Sequence, residues 1–172
     1  KLIKKDCRID FAPEGRVYCW GWGRDNVSYD NGRSWEGSTG KNPLTGNAYA
    51  NPYKPNEIYS LADWYGGIAY SDNGATSWRT VNEYTTGLEN AAFFFAPDQK
   101  SIYVIGNETY KSVDGKVWSY CSVIDGKIPQ TETRAAINPS DSQNIFIATR
   151  GSGIVRSTDG CASWAVLRNV GS

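Results

Sequence analysis

The chain has no histidine and no methionine among its 172 residues. Without histidine it can assemble neither a Ser-His-Asp nor a Cys-His nucleophile, and a His-ligated metal centre is excluded too. No Cys-x-x-Cys spacing suggests zinc, so neither a metal nor a cofactor is expected. The absent initiator methionine points to a mature form after removal of a signal peptide, or to a trimmed chain, and hence to secretion. Net charge is also missing: 18 basic and 18 acidic residues cancel, with only Lys1, Lys4 and Lys5 clustered. Nucleic acid and anionic membrane are therefore not expected partners. No apolar run approaches the ~20 residues needed to cross a bilayer, so no membrane insertion is expected. No segment sustains a 3.6-residue pattern, so no long helix is expected.

What is present is a repeat. One short turn recurs as SYDNGRSW (28–35), YSDNGATSW (70–78), SVDGKVW (112–118) and STDGCASW (157–164). Its aspartates, Asp30, Asp72, Asp114 and Asp159, lie 42, 42 and 45 residues apart. Ahead of each turn come an extended run ending near Pro13, Pro52, Pro97 or Pro139, then a second apolar run carrying Tyr18, Tyr59, Tyr103 or Phe146. Val, Ile, Tyr and Phe bounded by Pro, Gly, Asn and Asp argue for strands. Each unit thus predicts four antiparallel strands, the composition of a propeller blade. The expected fold is an all-β propeller of four such blades in one domain, at about residues 1–38, 39–82, 83–122 and 123–172. A join across the termini would span 21 residues from Trp164 to Pro13, against 17, 19 and 21 for the internal equivalents, so four blades fit the chain.

The turn Asp can accept backbone N–H bonds, Gly at Gly32 and Gly74 accepts positive φ, and the Trp packs on the sheet. This pattern resembles the Asp-box, or bacterial neuraminidase repeat, of sialidases, xyloglucan-cleaving hydrolases and sortilin-type receptors. The first copy fits closely, the second has an extra residue between Asp72 and Trp78, the third is one residue short, and the fourth has Gly160 beside Asp159. The resemblance implies structural roles for Asp30, Trp35, Asp72, Trp78, Asp114, Trp118, Asp159 and Trp164, with the tryptophans in the core. It covers enzymes and non-enzymes alike and so implies a scaffold, not a reaction. Sialidases of this group carry an Arg-Ile-Pro signature, but Arg8-Ile9-Asp10 lacks the proline. Xyloglucan-cleaving relatives draw acids from two propellers, and this chain has blades for one.

Cys7 and Cys19 flank the turn around Pro13 symmetrically and suit a bridge across neighbouring strands. Cys121 and Cys161 would have to join blades three and four, and free buried cysteines are the alternative for both pairs. Asn26-Val27-Ser28 and Asn107-Glu108-Thr109 are acceptor triplets for glycan, so Asn26 and Asn107 are candidate modification sites.

In a propeller the loops from second to third strand share a face, with the repeat turns on the other. Those loops carry Trp20, Trp22, Arg24 and Asp25 in blade one and Asp63, Trp64 and Tyr65 in blade two. Asn107 and Glu108 follow in blade three, and Arg150 in blade four. Aromatic rings beside planar polar groups suit a carbohydrate surface. The expected function is non-catalytic recognition of glycan or an extracellular protein ligand through Trp22, Arg24, Asp25, Asp63, Trp64, Tyr65 and Arg150. Trp20 can equally be buried between blades. The enzyme alternative is a glycoside hydrolase, or a fragment of one, with a two-carboxylate mechanism working through Asp25 and Asp63, with Glu108 third. A structural part of a virion or cell surface is the remaining class, and self-association into a homo-oligomer stays open.

Overall fold

The computed structural model describes residues 7–21, 25–38, 48–61, 67–83, 88, 91–106, 108–121, 134–149 and 153–167. Among them every regular element is a strand, and the strands form four four-stranded antiparallel sheets. Sheet one comprises β1 (Arg8–Ala12), β2 (Arg16–Trp20), β3 (Asn26–Ser28) and β4 (Glu36–Gly37). Sheet two comprises β5 (Ala48–Ala50), β6 (Ile58–Leu61), β7 (Gly67–Ser71) and β8 (Arg79–Glu83). Sheet three comprises β9 (Ala92–Phe95), β10 (Ile102–Ile105), β11 (Thr109–Ser112) and β12 (Ser119–Tyr120). Sheet four comprises β13 (Arg134–Asn138), β14 (Asp141–Thr149), β15 (Gly153–Ser157) and β16 (Ala165–Leu167). Each sheet is an up-and-down meander, because every connection is short and joins sequence neighbours.

The chain divides into two compact units, Lys1–Ala62 with Ile68–Val81, and Asp63–Gly67 with Asn82–Ser172. In the first, Tyr18, Trp20 and Val27 of sheet one are buried with Ala48, Ala50, Ile58 and Ala75 of sheet two. Large rings from one sheet fill the space left by alanines on the next. Asp10 is held in this packing, its Oδ2 accepting the Trp20 indole N–H at 3.0 Å and the Ala50 N–H at 3.2 Å. In the second unit, Tyr103, Ile105 and Ala96 of sheet three pack with Ile145, Ile147 and Val155 of sheet four. The two cores share a device: a buried tyrosine donates its hydroxyl to a turn carbonyl of the following sheet. Tyr18 reaches Pro55 O at 2.7 Å, and Tyr103 reaches Ser142 O at 3.0 Å.

The repeat turns are built from their own side chains. In the first, Ser28 donates to Asp30 Oδ1 (2.7 Å) and accepts the Gly32 N–H (2.8 Å), while the Ser34 N–H and hydroxyl both bond the Asp30 carboxylate. The fourth repeats this with Ser157, Asp159, Cys161 and Ser163. The second differs from the expectation: its head is Asn73, not Asp72. Ser71 donates to Asn73 Oδ1, which also accepts the Ser77 N–H, and Ala75 N–H bonds Ser71. Asp72 pairs instead with Arg79. The physical reason is length. Counted from Asn73, the second turn has the same span to its tryptophan as the first and fourth, and no extra residue exists. Two consecutive residues in each of these turns take positive φ: Asn31 and Gly32, Gly74 and Ala75, Gly160 and Cys161. The shorter third turn needs only Gly115.

The repeat tryptophans are half-buried rather than fully in the core. Trp35 and Trp118 donate their indole N–H to Gly32 O and Gly115 O. The buried indole nitrogens of Trp78 and Trp164 have no partner among the described residues. Both proposed bridges are present. Cys7–Cys19 ties the start of β1 to β2, with Cα atoms 5.5 Å apart. Cys121–Cys161 joins sheets three and four across 5.4 Å, because the repeat brings the residue after β12 against the fourth turn. The terminal join of the sequence reading falls on residues 1–6 and 168–172, outside the described residues.

Candidate ligand-binding site

The two ends of each sheet differ in chemistry. At one end the first-to-second-strand turns meet the repeat turns: Asn31 N–H bonds Gly15 O, Gly74 N–H bonds Asn56 O, and Gly160 N–H bonds Gln143 O, at 2.9, 3.0 and 3.0 Å. The acids at the heads of the repeat turns there are engaged by their own turns. The Ser34 hydroxyl and N–H hold the Asp30 carboxyl down at about 2, and Ser163 does the same for Asp159 at about 2. The backbone N–H groups of Val117 and Lys116 lower Asp114. Carboxylates whose lone pairs are taken by their own turn are poor hosts for a ligand.

Another engaged acid lies just before β6 of sheet two. Glu57, buried, accepts from Asn51 Nδ2 (2.8 Å), Tyr59 OH (2.7 Å) and Lys54 Nζ (2.9 Å), with Tyr70 OH at 3.5 Å. Burial, then the Glu57 charge, pushes Tyr70 up to about 12. Each charged or hydroxyl group in this cluster has a partner, which makes it a structural network.

The opposite end carries the loops between second and third strands. In the first unit it presents Asp25, half-buried, whose carboxyl is raised by burial and partly held by the Gly21 N–H. In the second unit it presents Glu108, half-buried, whose Oε2 accepts the Tyr110 hydroxyl. Burial, then Glu108, pushes Tyr110 well above the usual phenol range. Tyr110 meets Tyr120 edge to face, with ring centroids 5.6 Å apart.

Of the residues nominated from sequence, Asp25 and Glu108 are therefore at the loop end, each in its own unit. Trp20 is core: it is buried and stacked on Tyr18 at 5.1 Å. Trp22, Arg24, Asp63, Trp64, Tyr65, Asn107 and Arg150 lie outside the described residues. Asn26 is half-buried in β3, and Ser28 of its triplet is 1% exposed with its hydroxyl committed to the turn. Tyr110 and Tyr120 escaped the sequence reading, which looked for function in loops, whereas both lie in strands. The available signal was an aromatic at matching places in the third and fourth strands of one unit only. No group of three or more His, Cys, Asp or Glu among the described residues could hold a metal.

No family model and no curated protein matches the chain. Solved structures do. The chain is similar to the GH74 enzyme of Niastella koreensis (TM-score 0.76, 18% identity) over 94% of its own length and 24% of that chain. It is similar to the GH74 xyloglucanase of Xanthomonas campestris (TM-score 0.62, 17% identity), covering 92% of itself and 24% of that chain. It also resembles PorZ, an essential surface component of the type-IX secretion system of Porphyromonas gingivalis (TM-score 0.66, 10% identity), covering 97% and 22%. The fold is of the β-propeller type. Identities this low carry the fold alone. The propeller chain spans about a quarter of the length of these proteins.

Proposed function

We propose that this propeller chain is a secreted, non-catalytic recognition module that binds glycan or another extracellular ligand through its loop end, and that its turns are Asp-boxes serving as scaffold. The observation that supports this is the contrast between ends. Asp30, Asp114 and Asp159 are consumed by their own turns, whereas Glu108 stands at the loop end beside a tyrosine pair with an exposed member. Two disulfides fit an oxidising compartment, and the GH74 neighbours make carbohydrate the leading ligand class. Trp22, Arg24, Asp25, Asp63, Trp64, Tyr65 and Arg150 are the proposed contacts. A glycan array at millimolar sensitivity tests this: the wild type binds, and Trp22→Ala and Trp64→Ala lose binding without losing fold. Unchanged binding in both variants would sink the loop-end assignment.

One observation favours a second reading, a glycoside hydrolase. Burial raises the Asp25 carboxyl, the property a general acid needs. Its signature is release of reducing sugar that disappears in Asp25→Asn and in Asp63→Asn. Release that survives both changes removes that reading.

A further inference from the structure

Sheet three carries a row of side chains that crosses all four of its strands. Phe93 pairs with Val104, Val104 with Tyr110, and Tyr110 with Tyr120, so the four stand on one face. The row starts in the interior, with Phe93 and Val104 buried, and ends in the open, with Tyr120 53% exposed. Phe93 is braced from the side by Trp118, edge to face at 5.8 Å. Beside the outer pair sits Glu108, fixed by the Tyr110 hydroxyl.

The repeat itself does not demand aromatics here. The places of Tyr110 and Tyr120 are taken by Asn26 and Gly37 in sheet one and by Val155 and Val166 in sheet four, and those sheets form without a ring. The edge strand that bears Tyr120 has just two residues, a length that frays easily. It is nonetheless anchored at the next residue, where Cys121 N–H bonds Thr109 O at 2.8 Å and the Cys121 sulfur is bridged to Cys161. An exposed ring is thus placed on a rigid edge and backed by a second ring, whose hydroxyl holds a carboxylate.

We propose that Tyr120, backed by Tyr110, whose hydroxyl holds Glu108, is a stacking subsite for a neutral hexopyranose. This rests on the carbohydrate reading above and adds a place and a sugar class to it. The open face of Tyr120 takes the C–H face of the sugar, and the Glu108 carboxylate accepts hydrogen bonds from its hydroxyls. The same carboxylate repels a uronic or sialic acid, so the subsite selects against acidic sugars. Anchoring by the disulfide lowers the ordering cost that an exposed two-residue strand would otherwise impose on binding.

Titration calorimetry with cellohexaose and with hexagalacturonate tests the subsite on the whole chain. The wild type binds the neutral oligomer in preference to the acidic one. Tyr120→Ala weakens neutral binding about 10-fold, as expected for loss of one stacked ring, while Tyr120→Phe retains most of it. Glu108→Gln narrows the preference against hexagalacturonate, a readout that a merely structural role would not move. Tyr120 is exposed, so both of its variants keep the wild-type melting profile. Wild-type affinity in Tyr120→Ala overturns the subsite. If Trp22→Ala and Trp64→Ala lose binding while Tyr120→Ala does not, the loop-end reading survives without the subsite. Failure of the wild type to bind either oligomer overturns the subsite, and a blank glycan array alongside it removes the parent reading too.

Discussion

The first and second units solve the same linkage problem with different bonds. In the first, the residue after the edge strand of sheet one, Ser38, donates its hydroxyl to Ala75 O in the turn of sheet two at 2.9 Å. In the second, the corresponding residues are Cys121 and Cys161, and the link is covalent. The correspondence is close: Ser38 N–H bonds Asp25 O and Cys121 N–H bonds Thr109 O, both at 2.8 Å. Ala75 and Cys161 share a left-handed backbone, with φ of 66° and 72°. The repeat therefore dictates a junction between the edge of one sheet and the turn of the next, and leaves its chemistry free. A hydrogen bond serves where the rest of the contact suffices. The disulfide stands where the edge strand carries the exposed ring.

The largest test removes the covalent junction. Cys121→Ser with Cys161→Ser opens a crosslink spanning 40 residues, and denaturant unfolding is expected to show a loss of about 2–4 kcal/mol. The second test makes the units alike. Ser38→Cys with Ala75→Cys is expected to form a bridge under mild oxidation and to raise the stability of the chain by about 1–3 kcal/mol over its reduced form. Mass spectrometry after digestion reports the bond, and failure to form it would show that the two junctions are not equivalent.

The smallest test uses acid. The Asp30 and Asp159 carboxyls sit at about 2 in the folded chain, below their ordinary 3.8. Their stabilising contribution is therefore complete above pH 4 and is lost as pH falls through 2. Asn73 does not titrate, so the second turn keeps its bonds across that window. Asn73→Asp is expected to make the second turn acid-sensitive like the others. Its denaturant midpoint should match the wild type at pH 6 and fall below it at pH 2.5, and equal midpoints at both would contradict the assignment of Asn73 as head.

The architecture was legible because the repeat is written at several levels at once: prolines, apolar runs, turn and tryptophan recur in one order. The second turn was misread because Asp72 and Asn73 stand side by side, and matching by residue type chose the acid where hydrogen-bond count and chain length choose the amide. The site was less legible. Loop residues such as Glu108 follow from topology, but Tyr110 and Tyr120 read as ordinary strand formers. Their meaning arises only when cross-strand register puts one against the other at an edge. Trp20 illustrates the reverse, an aromatic next to a loop that packing with Tyr18 draws inward.

The tyrosine hydroxyl that reaches across to the next turn carbonyl has a consequence for how such chains grow. Tyr18 and Tyr103 each recognise a main-chain atom, an acceptor that every successor provides whatever its side chains. Duplication of a whole repeat would bring donor and acceptor together in one step, with no matching mutation in the neighbour. Phe146 stands at this place in sheet four and has no hydroxyl to offer. A Phe146→Tyr exchange would give sheet four the donor that Tyr18 and Tyr103 supply in theirs.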